Sequence, residues 1–202
     1  MDVKLFLEYL PWLRMPDYYF QSKIGTDGWD AEGVARAIEW QKNDTLPIKR
    51  DTPILLADVP PSLRKLYAEN DLRQIQLLST FFWSEPKQLE QGWGFADMSE
   101  VNIVMAPSGK IEAYQAHPVR GMPGATDCLG VLAKDLESYL EALFYAQFNQ
   151  SHFLKNFLDE DAPPYPRVIL VAKHCALIAG GEEYYPVWAS IIGLPPTDTA
   201  AQ

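Results

Sequence analysis

The stretch spanning residues 101–148 constrains the fold of this chain more than any other. Residues 101–106 (VNIVMA) come close to the period-two alternation of a half-buried strand. The next four residues, Pro-Ser-Gly-Lys, supply a proline with fixed φ and a glycine free to take positive φ, which a tight turn needs. Residues 111–116 then resume an extended pattern. This order predicts a β-hairpin.

The second half of the same stretch predicts a loop, a strand and a helix. Residues 120–126 (RGMPGAT) carry two glycines and a proline, as loops do. Residues 128–133 form a short apolar run typical of a strand, and Asp135 can occupy the first turn of a helix, where a carboxylate favours the unpaired amides. A broad apolar stripe at spacings of three and four indicates a helix packed on a sheet: Leu136, Tyr139, Leu140, Leu143, Phe144 and Phe148.

Three further helices are predicted by caps and periodicity. One spans residues 30–42 with Asp30 as N-cap, and one spans 61–69, opened by two prolines. A third spans 167–179 and ends at two glycines, although the β-branched residues at its start leave a strand there as an alternative. Pro186 opens a last short helical segment.

The segments between these helices are predicted mostly as loops and strands. Residues 46–59 indicate a loop with one strand at most, and 72–83 a strand whose first half could also be helical. Residues 85–91 are polar, and Gly-Trp-Gly-Phe at 92–95 predicts a turn leading into the hairpin. Residues 1–30 are rich in aromatic rings, which either cover the sheet or offer a patch to a partner.

Composition and charge exclude several classes of function. The chain has 202 residues, 48% of them hydrophobic, with a net charge of −10 and a pI of about 4.7. Residues 51–202 hold nineteen acidic and ten basic side chains, so the body of the protein carries the charge. Nucleic acids bind through lysine and arginine, so a nucleic-acid partner is not expected. An acidic surface suits a basic protein partner, although solvated surface charge is the simpler interpretation.

No segment resembles a signal peptide or a membrane-spanning helix, and two cysteines do not make a disulfide framework. We therefore expect a cytoplasmic protein that does not act in a membrane.

Recognisable catalytic, metal or cofactor motifs are absent from the sequence. His117, His152 and His174 lack the ligand spacing of a zinc site, and no phosphate-binding glycine loop occurs. Cys128 with His117 is the one pairing that a folded chain could assemble into a nucleophile and a base, though Asp127 beside the thiol would oppose its ionisation. We expect no catalytic residues and no cofactor.

The acidic residues are the candidates for contact with a partner. Glu182 and Glu183, beside two tyrosines, could also form a general acid/base pair, but solvated charge is the commoner explanation. The partner-binding candidates are Asp97, Glu100, Asp159, Glu160, Asp161, Glu182 and Glu183.

A resemblance to the SUKH superfamily extends over about residues 55–148. A proline-led helix at 59–67 ends near Asn70, antiparallel strands follow, and Gly109 occupies the turn of a hairpin. Residues 131–140 (VLAKDLESYL) are similar to the apolar helix motif of that superfamily, and the matching positions are Ala133, Leu136, Tyr139 and Leu140.

The resemblance implies an α+β fold, with a central antiparallel sheet flanked by helices in a single domain with extra N- and C-terminal segments. It divides the chain into an aromatic N-terminal extension packed on the body (1–50), a SUKH-like core (51–158) and a C-terminal helical segment with a tail (159–202). It also implies a bacterial immunity protein that binds and neutralises a cognate toxin, often a nuclease, and it supplies no catalytic residues. Two alternatives stay open: a small cysteine-dependent hydrolase or transferase, and a general protein-interaction adaptor. The oligomeric state also stays open.

Overall fold

The computed structural model describes residues 1–13, 49–73, 75–98, 100–116, 128–149 and 166–194. The predicted helix at 30–42, the loop at 120–126 and a helical continuation beyond residue 149 lie outside these ranges.

Six antiparallel strands form one sheet, in which each strand pairs with the next along the chain. The strands are β1 (Gln76–Leu77), β2 (Thr80–Leu89), β3 (Gly92–Met98), β4 (Val101–Met105), β5 (Ile111–Gln115) and β6 (Cys128–Ala133). With the helices described below, the protein has the predicted α+β fold.

The described residues form five helices, of which the last four lie on segments that the sequence predicted as helical and the first lies in the aromatic-rich N-terminal segment. They are α1 (Val3–Leu13), α2 (Pro61–Tyr67), α3 (Leu136–Phe148), α4 (Pro166–Ala179) and α5 (Tyr185–Ile191), with a 3₁₀ turn at Glu182–Tyr184. The start of α4 is helical, so the strand alternative is wrong there. Gly180 closes α4 at a φ of 145°, where a Cβ would approach a ring carbon of Tyr184 within 2.9 Å.

The central hairpin confirms the sequence prediction closely. Met105 pairs with Ile111, and the Gly109 amide donates to the Ala106 carbonyl at 2.9 Å, which closes a four-residue turn. Gly109 adopts a φ of 86°, which L-residues rarely take. The local sequence alone therefore determines this turn.

Strand β6 and helix α3 also lie where the sequence placed them. Asp135 is the N-cap of α3, and its carboxylate accepts from the Ser138 amide at 2.7 Å. Most of the apolar stripe is buried, but Phe148 is 73% exposed and stacks on Phe144 instead of entering the core.

One segment differs from its prediction. Residues 85–89 continue β2 and residues 92–98 form β3, so the turn predicted at 92–95 is wrong. Gly94 lies inside β3, where it pairs with Lys87 and Val104. Its missing side chain leaves room for the Trp83 ring, since a Cβ there would lie 2.7 Å from that ring. The segment predicted as a loop with one strand at most is a loop throughout its described residues 49–59, where Leu55 is 92% exposed.

The two faces of the sheet have different roles. The inner face carries Phe82, Ala96, Ile103 and Ala113, all buried in the core under the helices. Strand residues alternate between faces, so Phe81, Asp97, Asn102 and Tyr114 point the other way. We call this second side the open face.

None of the helices in the described ranges has the length and apolar character needed to cross a bilayer.

Candidate functional site

A continuous row of side chains crosses the open face from β2 to β6. Phe81 pairs with Asp97, Asp97 with Asn102, Asn102 with Tyr114, and Tyr114 with Cys128. Phe81 is 43% exposed and Cys128 is exposed, whereas the three residues between them are partly buried. Because directly opposed residues in a sheet lie within about 5 Å of one another, these five side chains form one surface.

The Trp83 indole is held in a fixed orientation on this surface. Its Nε1–H donates to Oδ2 of Asp97 at 2.7 Å, its ring passes over Gly94, and the Lys87 ammonium lies 5.7 Å from the ring centre. A carboxylate offers about four acceptor sites, and Trp83 takes one of those on Asp97. Asp97 therefore keeps acceptor capacity for another donor.

A second pairing of an aromatic ring with a carboxylate lies on β5. The Tyr114 hydroxyl donates to Oε2 of Glu112 at 2.5 Å, and this hydrogen bond is the main reason that the pKa of Tyr114 is raised well above its usual range. Glu112 and Tyr114 share a face because they are two residues apart on one strand. Tyr114 also lies beside the Cys128 thiol.

Coverage of the open face varies along the strands. Val104 opposes Gly94 and is fully buried, although it is not part of the core cluster. The accessible portion therefore lies toward the end of the sheet that carries Asp97, Asn102 and Tyr114.

The structure brings together only some of the predicted acidic residues. Asp97 lies in the row, and Glu100 is exposed in the turn between β3 and β4. Glu182 and Glu183 are exposed in the 3₁₀ turn, where Glu183 lines a cleft with residues of β3, β4 and β6. Asp159, Glu160 and Asp161 lie outside the described residues.

The cysteines have contrasting environments. Cys128 is exposed and lies beside a tyrosine. Its proposed base His117 lies outside the described residues, as does Asp127, which we expected to oppose ionisation of the thiol. Cys175 is buried, its thiol donates to the Ala142 carbonyl at 3.6 Å, and burial raises its pKa to about 12. Within the described ranges, no group of three or more histidine, cysteine or acidic side chains is placed to hold a metal ion.

Sequence reasoning missed Trp83, Glu112 and Tyr114 as members of a surface. Their spacing in the sequence could have indicated a shared surface. Phe81 and Trp83 are two residues apart, as are Glu112 and Tyr114, and residues two apart in a strand lie on the same face. The partner of each ring depends on strand register, which the spacing alone does not specify.

Comparison of this chain with protein families, with curated proteins and with solved structures finds no match.

Proposed function

We propose that this protein is a non-enzymatic binding protein that recognises another protein through the open face of its sheet. In this proposal the partner is a basic toxin domain, and the chain acts as an immunity protein of SUKH type that binds and neutralises it. The observation that carries the proposal is the row of aromatic and acidic side chains across the sheet, anchored by the hydrogen bond from Trp83 to Asp97.

Aromatic side chains held in place before binding suit a protein interface. Hot spots in such interfaces are enriched in tryptophan and tyrosine, and a side chain that is already ordered loses less rotamer entropy on association. Trp83 and Tyr114 are each tied to a carboxylate by a hydrogen bond. The same carboxylates can accept hydrogen bonds from lysine or arginine, so one surface offers both apolar area and negative charge.

The net charge of −10 supports a basic partner. Long-range attraction between surfaces of opposite sign accelerates encounter and disfavours acidic competitors. A toxin that acts on nucleic acid has a basic surface of the kind this charge would attract.

The first test uses the purified full chain as bait in a lysate of its source cells. We expect one basic protein to be retained in stoichiometric amount and to be released as salt increases. Expression of that protein should arrest growth unless the wild-type chain is expressed with it. Trp83→Ala should weaken the purified complex by about 30-fold or more, the effect of losing a hot spot worth about 2 kcal/mol.

Two variants that each remove one negative charge, one on the open face and one away from it, test whether the open face is the binding surface. Asp97→Ser should slow association and reduce its salt dependence, whereas Glu137→Ser, which removes an exposed carboxylate from α3, should leave both near wild type. Equal behaviour of the two variants, or growth that is unaffected by the captured protein, would contradict the proposal.

A further inference from the structure

The Trp83 indole on the open face already holds a cation in the free protein. The ammonium of Lys87 lies over its ring at 5.7 Å from the ring centre, inside the distance of about 6 Å at which an aromatic face attracts positive charge. Lys87 is exposed, and it forms no ion pair with any residue that the structure describes. Another cation can therefore displace the Lys87 ammonium from the ring without breaking an ion pair in the described structure.

A carboxylate lies at the nitrogen edge of the same ring. The Nε1–H of Trp83 donates to Oδ2 of Asp97 at 2.7 Å, and Oδ1 of Asp97 keeps its acceptor sites. Within the described ranges Asp97 has no ion-pair partner, so the cation over the ring does not neutralise this carboxylate. The ring and the carboxylate together offer more to a cation than Lys87 uses.

The residues that flank Asp97 add an apolar wall and a further acceptor. Phe81 opposes Asp97 from β2 and Asn102 opposes it from β4, so both side chains lie within about 5 Å of the carboxylate. The Phe81 ring is 43% exposed. The Asn102 side chain makes no hydrogen bond to a described residue, which leaves its amide oxygen available to a donor.

This combination suits a guanidinium better than an ammonium. A guanidinium is planar and weakly hydrated, so it can stack on an indole face while its N–H groups donate sideways to a carboxylate and an amide oxygen. An ammonium is a compact and strongly hydrated point charge, and Lys87 shows that it can lie over the ring without pairing with Asp97. The methylene stem of an arginine would lie against the Phe81 ring.

We propose that Phe81, Trp83 and Asp97 form a subsite for an arginine side chain of the protein partner. The guanidinium stacks on the Trp83 ring in place of the Lys87 ammonium and donates to Asp97. This inference rests on the proposed function, in which the open face binds a basic protein, and it names the side chain that the surface selects. Lys87 acts as an internal competitor that lowers the affinity of the subsite for other cations.

The test is a titration of the full chain with N-acetyl-arginine methylamide, followed by NMR of the ¹⁵N-labelled tryptophan indoles. Trp83→Phe removes one indole resonance and so assigns it, and the buried Trp188 indole, which donates to Leu132, is the reference in the same spectrum. We expect the Trp83 resonance to shift and saturate with a dissociation constant on the order of 10 mM, because one side chain supplies a small part of an interface.

Two other compounds at the same ionic strength test the chemistry of recognition. The corresponding lysine compound carries the same charge and should bind about threefold more weakly or worse, because it lacks the planar fork of donors. The citrulline compound has nearly the shape of arginine without its charge, and it should leave the Trp83 resonance in place. The Trp188 resonance should not move with any of the three.

Matched variants assign the roles of Lys87 and Asp97. Lys87→Ala should strengthen binding of the arginine compound by about two- to fivefold, the size of an exposed cation–π contact, whereas Lys65→Ala removes the same charge from α2 and should leave binding near wild type. Asp97→Asn keeps an oxygen for the Trp83 N–H but should weaken binding about threefold or more, whereas Glu137→Gln on α3 should have little effect.

A Trp83 resonance that stays in place, or that moves equally with the citrulline compound, would overturn the subsite. Equal binding of the lysine and arginine compounds would overturn its selectivity for arginine, and equal effects of Lys87→Ala and Lys65→Ala would overturn the competition by Lys87. The titration contains no partner protein. Its failure therefore leaves the toxin proposal to the bait experiment, and failure of the bait experiment beside a positive titration would reject the partner and retain the arginine subsite.

Discussion

At the scale of single residues, position in the fold gives chemically identical side chains different exposure and different reactivity. The two thiols illustrate this, since Cys128 is exposed at the start of β6 and Cys175 is buried between α4 and α3. Only a thiolate reacts rapidly with thiol reagents, and burial disfavours that charged form. The alternative of a cysteine-dependent enzyme therefore concerns Cys128 alone.

Thiol labelling tests that alternative directly. In the folded protein at pH 7 we expect one equivalent of thiol to react, at the rate of an ordinary exposed cysteine, and Cys128→Ser to abolish the reaction. Cys175 should react only after unfolding. Labelling of Cys128 about ten or more times faster than glutathione would instead favour an activated nucleophile and contradict a purely binding role.

At the scale of elements, helix α3 shows how local sequence and packing cooperate. Asp135 accepts a hydrogen bond from an otherwise unpaired amide at the helix start, and its negative charge interacts favourably with the positive end of the helix dipole. Leu136, Tyr139, Leu140 and Leu143 on one face are buried in the core. The cap sets where the helix begins, and the apolar stripe sets which face packs on the sheet.

Removing the cap should lower stability without altering the fold. We expect Asp135→Ala to reduce the free energy of unfolding by about 1 kcal/mol, measured by urea denaturation. Asp135→Asn is the matched control, because asparagine also caps well, and it should lose only the smaller contribution of the charge. An equal loss in both variants would mean that charge, and not the cap hydrogen bond, is the main contribution.

At the scale of the whole molecule, a continuous series of rings connects the two ends of the described chain through the core. Neighbouring ring centres lie 6.0–6.5 Å apart from Phe6 through Phe82, Phe95 and Tyr139 to Trp188. These residues belong to α1, β2, β3, α3 and α5 in turn. Aromatic pairs at this spacing add about 0.5–1.5 kcal/mol beyond their buried area, so the series couples segments that are distant in sequence.

Buried ionisable groups in the same core predict how stability depends on pH. Burial raises the pKa of Tyr139 to about 12 and that of Tyr67 well above its usual range. The folded state therefore keeps these protons at a pH where the unfolded state, with tyrosine near pKa 10, has released them. Their contribution is complete below about pH 10 and is lost as pH rises toward the folded pKa.

We expect the free energy of unfolding to fall between about pH 10 and pH 12, with Tyr139 alone contributing on the order of 3 kcal/mol to that loss. Denaturant titrations across this range measure the effect. Tyr139→Phe should be less stable at pH 8, since it removes the contact of the hydroxyl with Thr80, but should show a shallower decline. A decline as steep as that of the wild type would exclude Tyr139 as a contributor.

The sequence by itself determined the elements whose signals are local. The hairpin turn at Gly109, the strand at 128–133, the Asp135 cap and the end of α4 at Gly180 follow from neighbouring residues, because backbone φ, capping and periodicity are short-range properties. The SUKH-type function and the acidic contacts remain predictions, since strand pairing and caps carry no information about a partner.

The tertiary structure decided everything that depends on register and burial. The local sequence at Gly94 predicts a turn, yet Gly94 pairs with residues of both neighbouring strands, and its missing side chain leaves room for the Trp83 ring. Asp97 accepts a hydrogen bond from Trp83 on the neighbouring strand, and Glu183 lines the same cleft as residues of β6. In both cases the residues are far apart in the chain. Such contacts are selected by the packing of the whole core, which no single segment of sequence encodes.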